Sequence, residues 1–542
     1  MKCFRRVLAF ALTFVLCFSI AGCGKKPASS TSSNLADVTE LEKVPDQTTE
    51  ATEEITEATT EIAAPISVQV EKHYYTTWDD AYAKCYLESE LQYPYIKEDV
   101  CPELKEAVNA EHDKELANDQ KTNEGLIKSS KEENSDTPYA NSNTISVKRA
   151  DSNVFSYVSS FYSNMGGVHG MNGQTCFNYD ARTGERIVLS DICKDEAKFE
   201  EAVYDALVKT YDADEVSGWD SYKENINFNA KVDEAGYIFC IEQTGISVYF
   251  NPYDIAAYAS GSFQVFIPYS EDLFYEQYFN APDYYISTIT PEIANYIDLN
   301  DDGEVDSLTT NITSDENYGY TKAVITINGI EKSFDLYSFD ADWYYVHSAN
   351  GNYIYMSASI ENDYKYLYVF KVNSKNKVRK IEDDNDLYGF PSENLKEGED
   401  YYGRVTIPTD CDHLFIEKRS SLLSTYFATK ECKVGDDGYP AEYDGLAVVT
   451  SDLKLKLKKD LELYVVNDQT GEETKEAYTL KAKDKIIIYK TDFTSIVDVK
   501  TKEGKVLRIH VKDKVYSDDN IYGQSVNGIP IEDLFKNLIF AG

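Results

Sequence analysis

The chain has 542 residues, enough for about three or four domains by length. It carries 53 Lys and Arg against 94 Asp and Glu, a formal charge of −41. That balance excludes a general nucleic-acid binder, which needs basic patches to displace counterions, and it favours solubility and cationic partners. The 44 tyrosines favour strands, and aromatic faces also line protein and sugar sites.

In chain order, Lys2, Arg5 and Arg6 precede an apolar run from Val7 to Ile20. The run is too short for the ~30 Å hydrocarbon core and suits the apolar segment of a cleaved signal peptide. Ile20-Ala21-Gly22-Cys23 resembles the lipobox of bacterial lipoproteins. The resemblance implies removal of residues 1–22, acylation of Cys23, and an extracytoplasmic chain held to the bacterial cell membrane by lipid on Cys23. No later stretch is apolar enough to span a bilayer. Residues 23–65 read as a disordered Thr/Glu-rich tether, as in Thr48-Thr49-Glu50-Ala51-Thr52-Glu53-Glu54. Such composition cannot bury enough apolar area to offset ordering entropy.

Seven cysteines follow Cys23: Cys85, Cys101, Cys176, Cys193, Cys240, Cys411 and Cys432. Cys411 with Cys432 is the first disulfide expectation and Cys85 with Cys101 the second, since export permits disulfides. No CxxC pair points to structural zinc.

Residues 66–280 have an α+β pattern. Ile66-Ser67-Val68-Gln69-Val70 alternates as a strand does. Leu104, Val108 and Leu116 recur at multiples of four and predict a helix over Pro102–Leu116. The polar stretch Asn118–Asn143 reads as a long loop. Strands are expected at Ile145–Val147 and Phe155–Tyr162, and a helix at Glu196–Tyr211 with Phe199, Val203 and Leu207 on one face. Tyr237–Phe250 and Phe263–Pro268 add strands.

Two stretches carry a family resemblance. One contains Gly166-Gly167-Val168-His169-Gly170, Phe177-Asn178-Tyr179-Asp180, Thr183-Gly184-Glu185 and Leu189-Ser190-Asp191-Ile192. The other contains Gly245–Phe250, Pro252-Tyr253-Asp254-Ile255, Tyr258-Ala259-Ser260-Gly261 and Ile267-Pro268-Tyr269. Together they resemble the extracytoplasmic domain of the lysozyme-sensing (RsiV-like) anti-sigma factors, a domain of otherwise unknown function that also precedes the catalytic domain of some peptidoglycan deacetylases. The resemblance implies an α+β fold and a lysozyme-binding activity. The chain departs from both relatives. It starts with a signal where the anti-sigma factors have a cytosolic part and a transmembrane helix. Downstream it lacks the metal-binding motif of the deacetylases.

His169 among glycines reads first as a tight turn, and a Cys176–His169 nucleophile pair is the rival reading. No P-loop, HExxH or GxSxG motif occurs, and no residue is assigned as catalytic.

Residues 284–400 read as a β domain with a calcium-type loop, Asp298-Leu299-Asn300-Asp301-Asp302-Gly303-Glu304-Val305-Asp306. Oxygen ligands at Asp298, Asn300 and Asp302, a turn glycine, the Glu304 carbonyl and the Asp306 carboxylate suit Ca²⁺. The twelfth position is Thr309, so this is no full EF-hand; it resembles calcium loops embedded in secreted β domains. Residues 401–542 are nearly all β by pattern, with a hairpin turn at Asn467–Gly471, and suggest a small SH3-like barrel.

The sequence therefore predicts a multidomain protein: an α+β RsiV-like domain, a calcium-loop β domain and a small SH3-like barrel. The expected function is a surface lipoprotein that binds an envelope ligand, lysozyme or peptidoglycan. The rivals are a cell-wall-modifying enzyme and a purely structural or adhesive lipoprotein.

Overall fold

Alternating apolar residues dominate the chain after residue 62, and they form sheets. In the computed structural model residues 63–540 are described, apart from 98–100, 168, 233, 315–320, 339, 361–364, 383–387, 398–399, 452, 468 and 513–521. Cys23, the signal and all but the last residues of the tether lie outside the described residues. Strands hold 47% of the chain and helices 16%, so the protein is mostly β and multidomain.

The first sheet has seven strands. Five come from the first region: β1 (Val68–Trp78), β2 (Cys85–Tyr95), β3 (Tyr139–Ala150), β4 (Val154–Asn164) and β5 (Met171–Asp180). They lie side by side in chain order, with β2 and β3 parallel. A helix, α1 (Pro102–Glu133), makes the crossover that a parallel pair requires. Outside β1 come Asp400–Ile407 and then Ser392–Glu397. Val68 pairs with Ile407 and His73 with Tyr402, so late residues complete the first sheet.

The expected loop at Asn118–Asn143 is corrected here: α1 runs on to Glu133, and β3 begins at Tyr139. The second half of α1 buries a face that is largely polar, which removes the apolar period. Asn123 donates to Ser89 Oγ at 3.1 Å and accepts from Asn141 Nδ2 at 3.0 Å. Leu126 is the apolar anchor, packed with Leu87 and Tyr139. The helix stops at Asn134 in the left-handed region, φ 52°.

A three-stranded sheet of β6 (Ile238–Ile241), β7 (Gly245–Phe250) and β8 (Phe263–Pro268) packs with the helix Glu196–Thr210. Phe199, Val203 and Leu207 share a core with Phe239, Ile241, Ile246, Val248 and Phe250. Here the expected helix and strands are observed.

Residues 285–380 supply two more antiparallel sheets, one of four and one of five strands. Strand Asp340–Ser348 is buried on both faces. Trp343 and Tyr345 join a core with Leu308, Ile325 and Ile327 of the four-stranded sheet. Tyr344 and Val346 join Val68, Val70, Phe155 and Tyr157 of the first sheet. The remaining strands belong to a fourteen-stranded sheet whose core includes Leu463, Ile488, Val499 and Leu507. The predicted hairpin is present: Leu461–Val466 pairs antiparallel with Glu473–Leu480, and Gly471 takes φ 69°.

Neither expected disulfide is formed, and all seven described cysteines are free thiols. The Cys411 thiol donates to the carbonyls of Tyr285 and His347, and the Cys432 thiol to that of Lys430. The Cys85 thiol donates to Leu87 O.

Candidate functional site

Most residues that carry the family resemblance build scaffold. Asn178 on β5 donates to Phe239 O at 2.8 Å and accepts from Ile241 N at 2.9 Å, clamping β5 to β6. Asp180 and Gly184 close a turn through Gly184 N to Asp180 O at 2.8 Å. Gly184 has φ 71°, and a Cβ there would stand 2.5 Å from Glu103 O at the start of α1. Only glycine fits both demands.

Three motif residues do something else. His169 sits in the tip between β4 and β5, and Tyr253 and Tyr258 sit in the loop between β7 and β8. The His169 and Tyr258 rings stack at 4.3 Å, and Tyr253 lies 5.6 Å from Tyr258. The Tyr258 hydroxyl donates to Gly170 O, which ties the two loops together. Asn251 fixes the second loop against β5, accepting from Gln174 N at 2.7 Å and donating to Gln174 O at 3.1 Å. Tyr253 is 61% exposed and Met165 46% exposed. Tyr253 also has φ 78°, an outlier for a bulky side chain. Such strain persists only where surrounding structure enforces it, and it clusters at functional positions. The result is an exposed, three-ring aromatic face.

The face offers ring surfaces and few acid–base groups. His169 Nδ1 lies 3.1 Å from Gly170 O. Cys176 faces Cys240 across the β5–β6 interface, so the Cys176–His169 nucleophile pair is not formed. An aromatic face of this kind suits the apolar side of a pyranose ring or a cationic side chain.

A second polar cluster escaped sequence reasoning. Glu71 on β1 is 2% exposed. Its Oε1 lies 2.6 Å from His73 Nε2 and 3.2 Å from His112 Nε2, and its Oε2 accepts from Arg404 Nε at 2.6 Å. Burial alone would raise the carboxyl, but His112, His73 and Arg404 hold it well below its ordinary range. Burial works against a charged His112, and Glu71 and Asp113 raise it nonetheless. Glu71, His73 and His112 are buried, and through His112 and Arg404 the cluster holds α1 and the 400–407 strand to β1.

The loop Asp298–Asp306 is organised by its own side chains. Asp298 accepts from the amides of Asn300, Asp302 and Gly303, Asn300 from Asp302, and Asp302 from Glu304. Asp302 and Glu304 are exposed. Asp306 is buried and accepts from Leu299 N, Asn328 Nδ2 and Asn376 Nδ2. Among the described residues no three His, Cys, Asp or Glu side chains are grouped to hold a metal. Side-chain oxygens of Asp298, Asn300 and Asp302 thus converge on the backbone of the loop, a mixed carboxylate–amide set.

Residues 81–172 match the family model described as deacetylase PdaC, and residues 190–270 match the one described as a protein of unknown function, DUF3298. These matches fall on the stretch that resembles the RsiV-like domain, and they support an extracytoplasmic, cell-envelope-associated protein. Two solved structures are similar. One is a member of the DUF3298 family from Bacteroides fragilis NCTC 9343, at 18% identity and TM-score 0.31, covering 39% of this chain and 95% of that one. The other is a DUF3298 family protein from Pseudomonas aeruginosa PAO1, at 16% identity and TM-score 0.30, covering 40% and 98%. No curated protein matches the chain. No described helix is long and apolar enough to cross a membrane.

Proposed function

We propose that this protein is a lipid-anchored envelope receptor whose first region binds lysozyme or peptidoglycan on the His169–Tyr258–Tyr253 face. The observation that carries the reading is the convergence of two motif loops, far apart in sequence, into one exposed aromatic stack. The overall acidity of the chain favours a cationic protein such as lysozyme. Acylated Cys23 would hold the receptor at the membrane, with residues 23–65 as spacer.

Titration calorimetry of the intact chain, lacking only its lipid, against hen-type lysozyme and against soluble peptidoglycan fragments tests this at two salt concentrations. Saturable binding that survives moderate salt is expected with one of them. Replacing Tyr253 and Tyr258 with Ala should weaken it by about tenfold or more, the usual cost of losing aromatic anchors. Binding of neither ligand, or unchanged binding by the double variant, would overturn the assignment.

The loop Asp298–Asp306 is proposed as a Ca²⁺ site that joins strands, with Asp298, Asn300, Asp302 and the Glu304 carbonyl as ligands and Asp306 anchoring the loop from behind. Millimolar Ca²⁺ should raise the melting temperature, and Asp298→Ala should abolish the rise. A melting temperature indifferent to Ca²⁺ removes the ion. Strand 400–407 belongs to the first sheet, and the rest of the region 401–542 is proposed to serve as an SH3-like module.

A further inference from the structure

Two thiols meet where the seven-stranded sheet faces the three-stranded one. Cys176 of β5 is paired with Val158 of β4, so their side chains leave the same face. On β6, Phe239 and Ile241 point into the core shared with the helix Glu196–Thr210. Strand alternation sends Cys240 the other way. There it packs with Val158, Tyr249 and Cys176. Asn178 lies two residues along β5 from Cys176, on the same face. Its two bonds to Phe239 O and Ile241 N bracket residue 240 and fix it beside β5.

The other thiols behave differently. Those of Cys85, Cys193, Cys411 and Cys432 are directed at backbone carbonyls. Cys176 and Cys240 interact with each other, and burial with that neighbour pushes the Cys176 thiol well up. A thiol held up in this way is a poor nucleophile, which argues against a catalytic role for Cys176.

We propose that Cys176 and Cys240 are joined by a structural disulfide in the exported protein, stapling β5 to β6 beneath the aromatic face. The bond forms during folding, before Cys240 is sealed from solvent. One S–S bond forms as two S–H bonds break. The two protons and two electrons pass to the disulfide of an extracytoplasmic thiol–disulfide oxidoreductase, which leaves as a dithiol. Neither lysozyme nor peptidoglycan binding is needed for this bond, so its test is separate from that of the receptor reading.

The full chain, exported by a bacterial host, is unfolded in an alkylating reagent with and without prior reduction, and its mass and peptides are compared. The expected result is two fewer alkyl groups before reduction, with Cys176 and Cys240 in one cross-linked peptide. Cys176→Ser should free Cys240 for alkylation, and Cys240→Ser should free Cys176. Reductant should lower the melting temperature of the native chain and leave that of the double Ser variant unchanged. Full alkylation of both residues without reduction, or a cross-link from either to another cysteine, overturns the proposal.

Discussion

Glu71 shows how far a single charge can organise a sheet. In the sequence it sits in Val-Gln-Val-Glu-Lys-His, an alternation whose polar members read as solvent-facing. In the structure α1 brings His112 onto that face and the late strand brings Arg404. Neither partner is near Glu71 in sequence, so no local pattern announces the cluster. The carboxyl is held below its ordinary 4.5, so its contribution is present above about pH 4.5 and is lost in strong acid. His112 is held above 6.5, so its contribution is full below about pH 6.5 and is lost as pH rises through the raised value. Unfolding in urea should therefore show stability falling as the pH rises above about 6.5. Glu71→Gln should flatten that slope and cost about 3 kcal/mol, the scale for breaking a buried ion pair. Lys148 and Arg149 make the same point. Consecutive strand residues should face opposite ways, yet both are buried. The register slips between Val147 and Arg149, and this bulge lets both turn inward. Lys148 then donates to Thr290 Oγ1 and Asn295 Oδ1, and Arg149 to Asp151 and Tyr278 O.

Among elements, legibility follows what each one buries. The helix Glu196–Thr210 was readable because Phe199, Val203 and Leu207 form an apolar stripe and Asp195 caps it, accepting from Lys198 N at 3.1 Å. The second half of α1 was not readable, because its inward side offers Asn123 and Ser130 along with Leu126. Strand periodicity located β6, β7, β8 and the hairpin before Gly471, but it could not say which strands pair across long separations. The aromatic face was half legible: the motifs named His169, Tyr253 and Tyr258, while their stacking needed three dimensions. Gly125 offers a test of α1 itself. It is exposed within the helix, and a Cβ there would meet nothing within 4 Å. Gly125→Ala should stabilise the chain by about 1 kcal/mol if residues 118–133 are helical, and denaturant midpoints would show it. A loop at that position would give no such gain.

At the scale of the whole molecule, the first sheet depends on residues beyond the stretch that resembles a known domain. Strand 400–407 covers the outer edge of β1, and Lys148 takes its partners from residues 288–295. A chain ended at residue 280 loses both. It should melt below the intact protein and self-associate through the bared strand, as sedimentation at increasing concentration would reveal. The same pairing sets a clock. Glu71 and Arg404 are 333 positions apart. At about 5–20 residues per second of synthesis, that interval lasts on the order of tens of seconds. Through that time a chain threading outward amino end first displays an open β1 edge, next to whatever other chains are emerging. The first sheet thus closes only after about three quarters of the chain has been made, so a chain stopped before residue 400 would keep its β1 edge open for good.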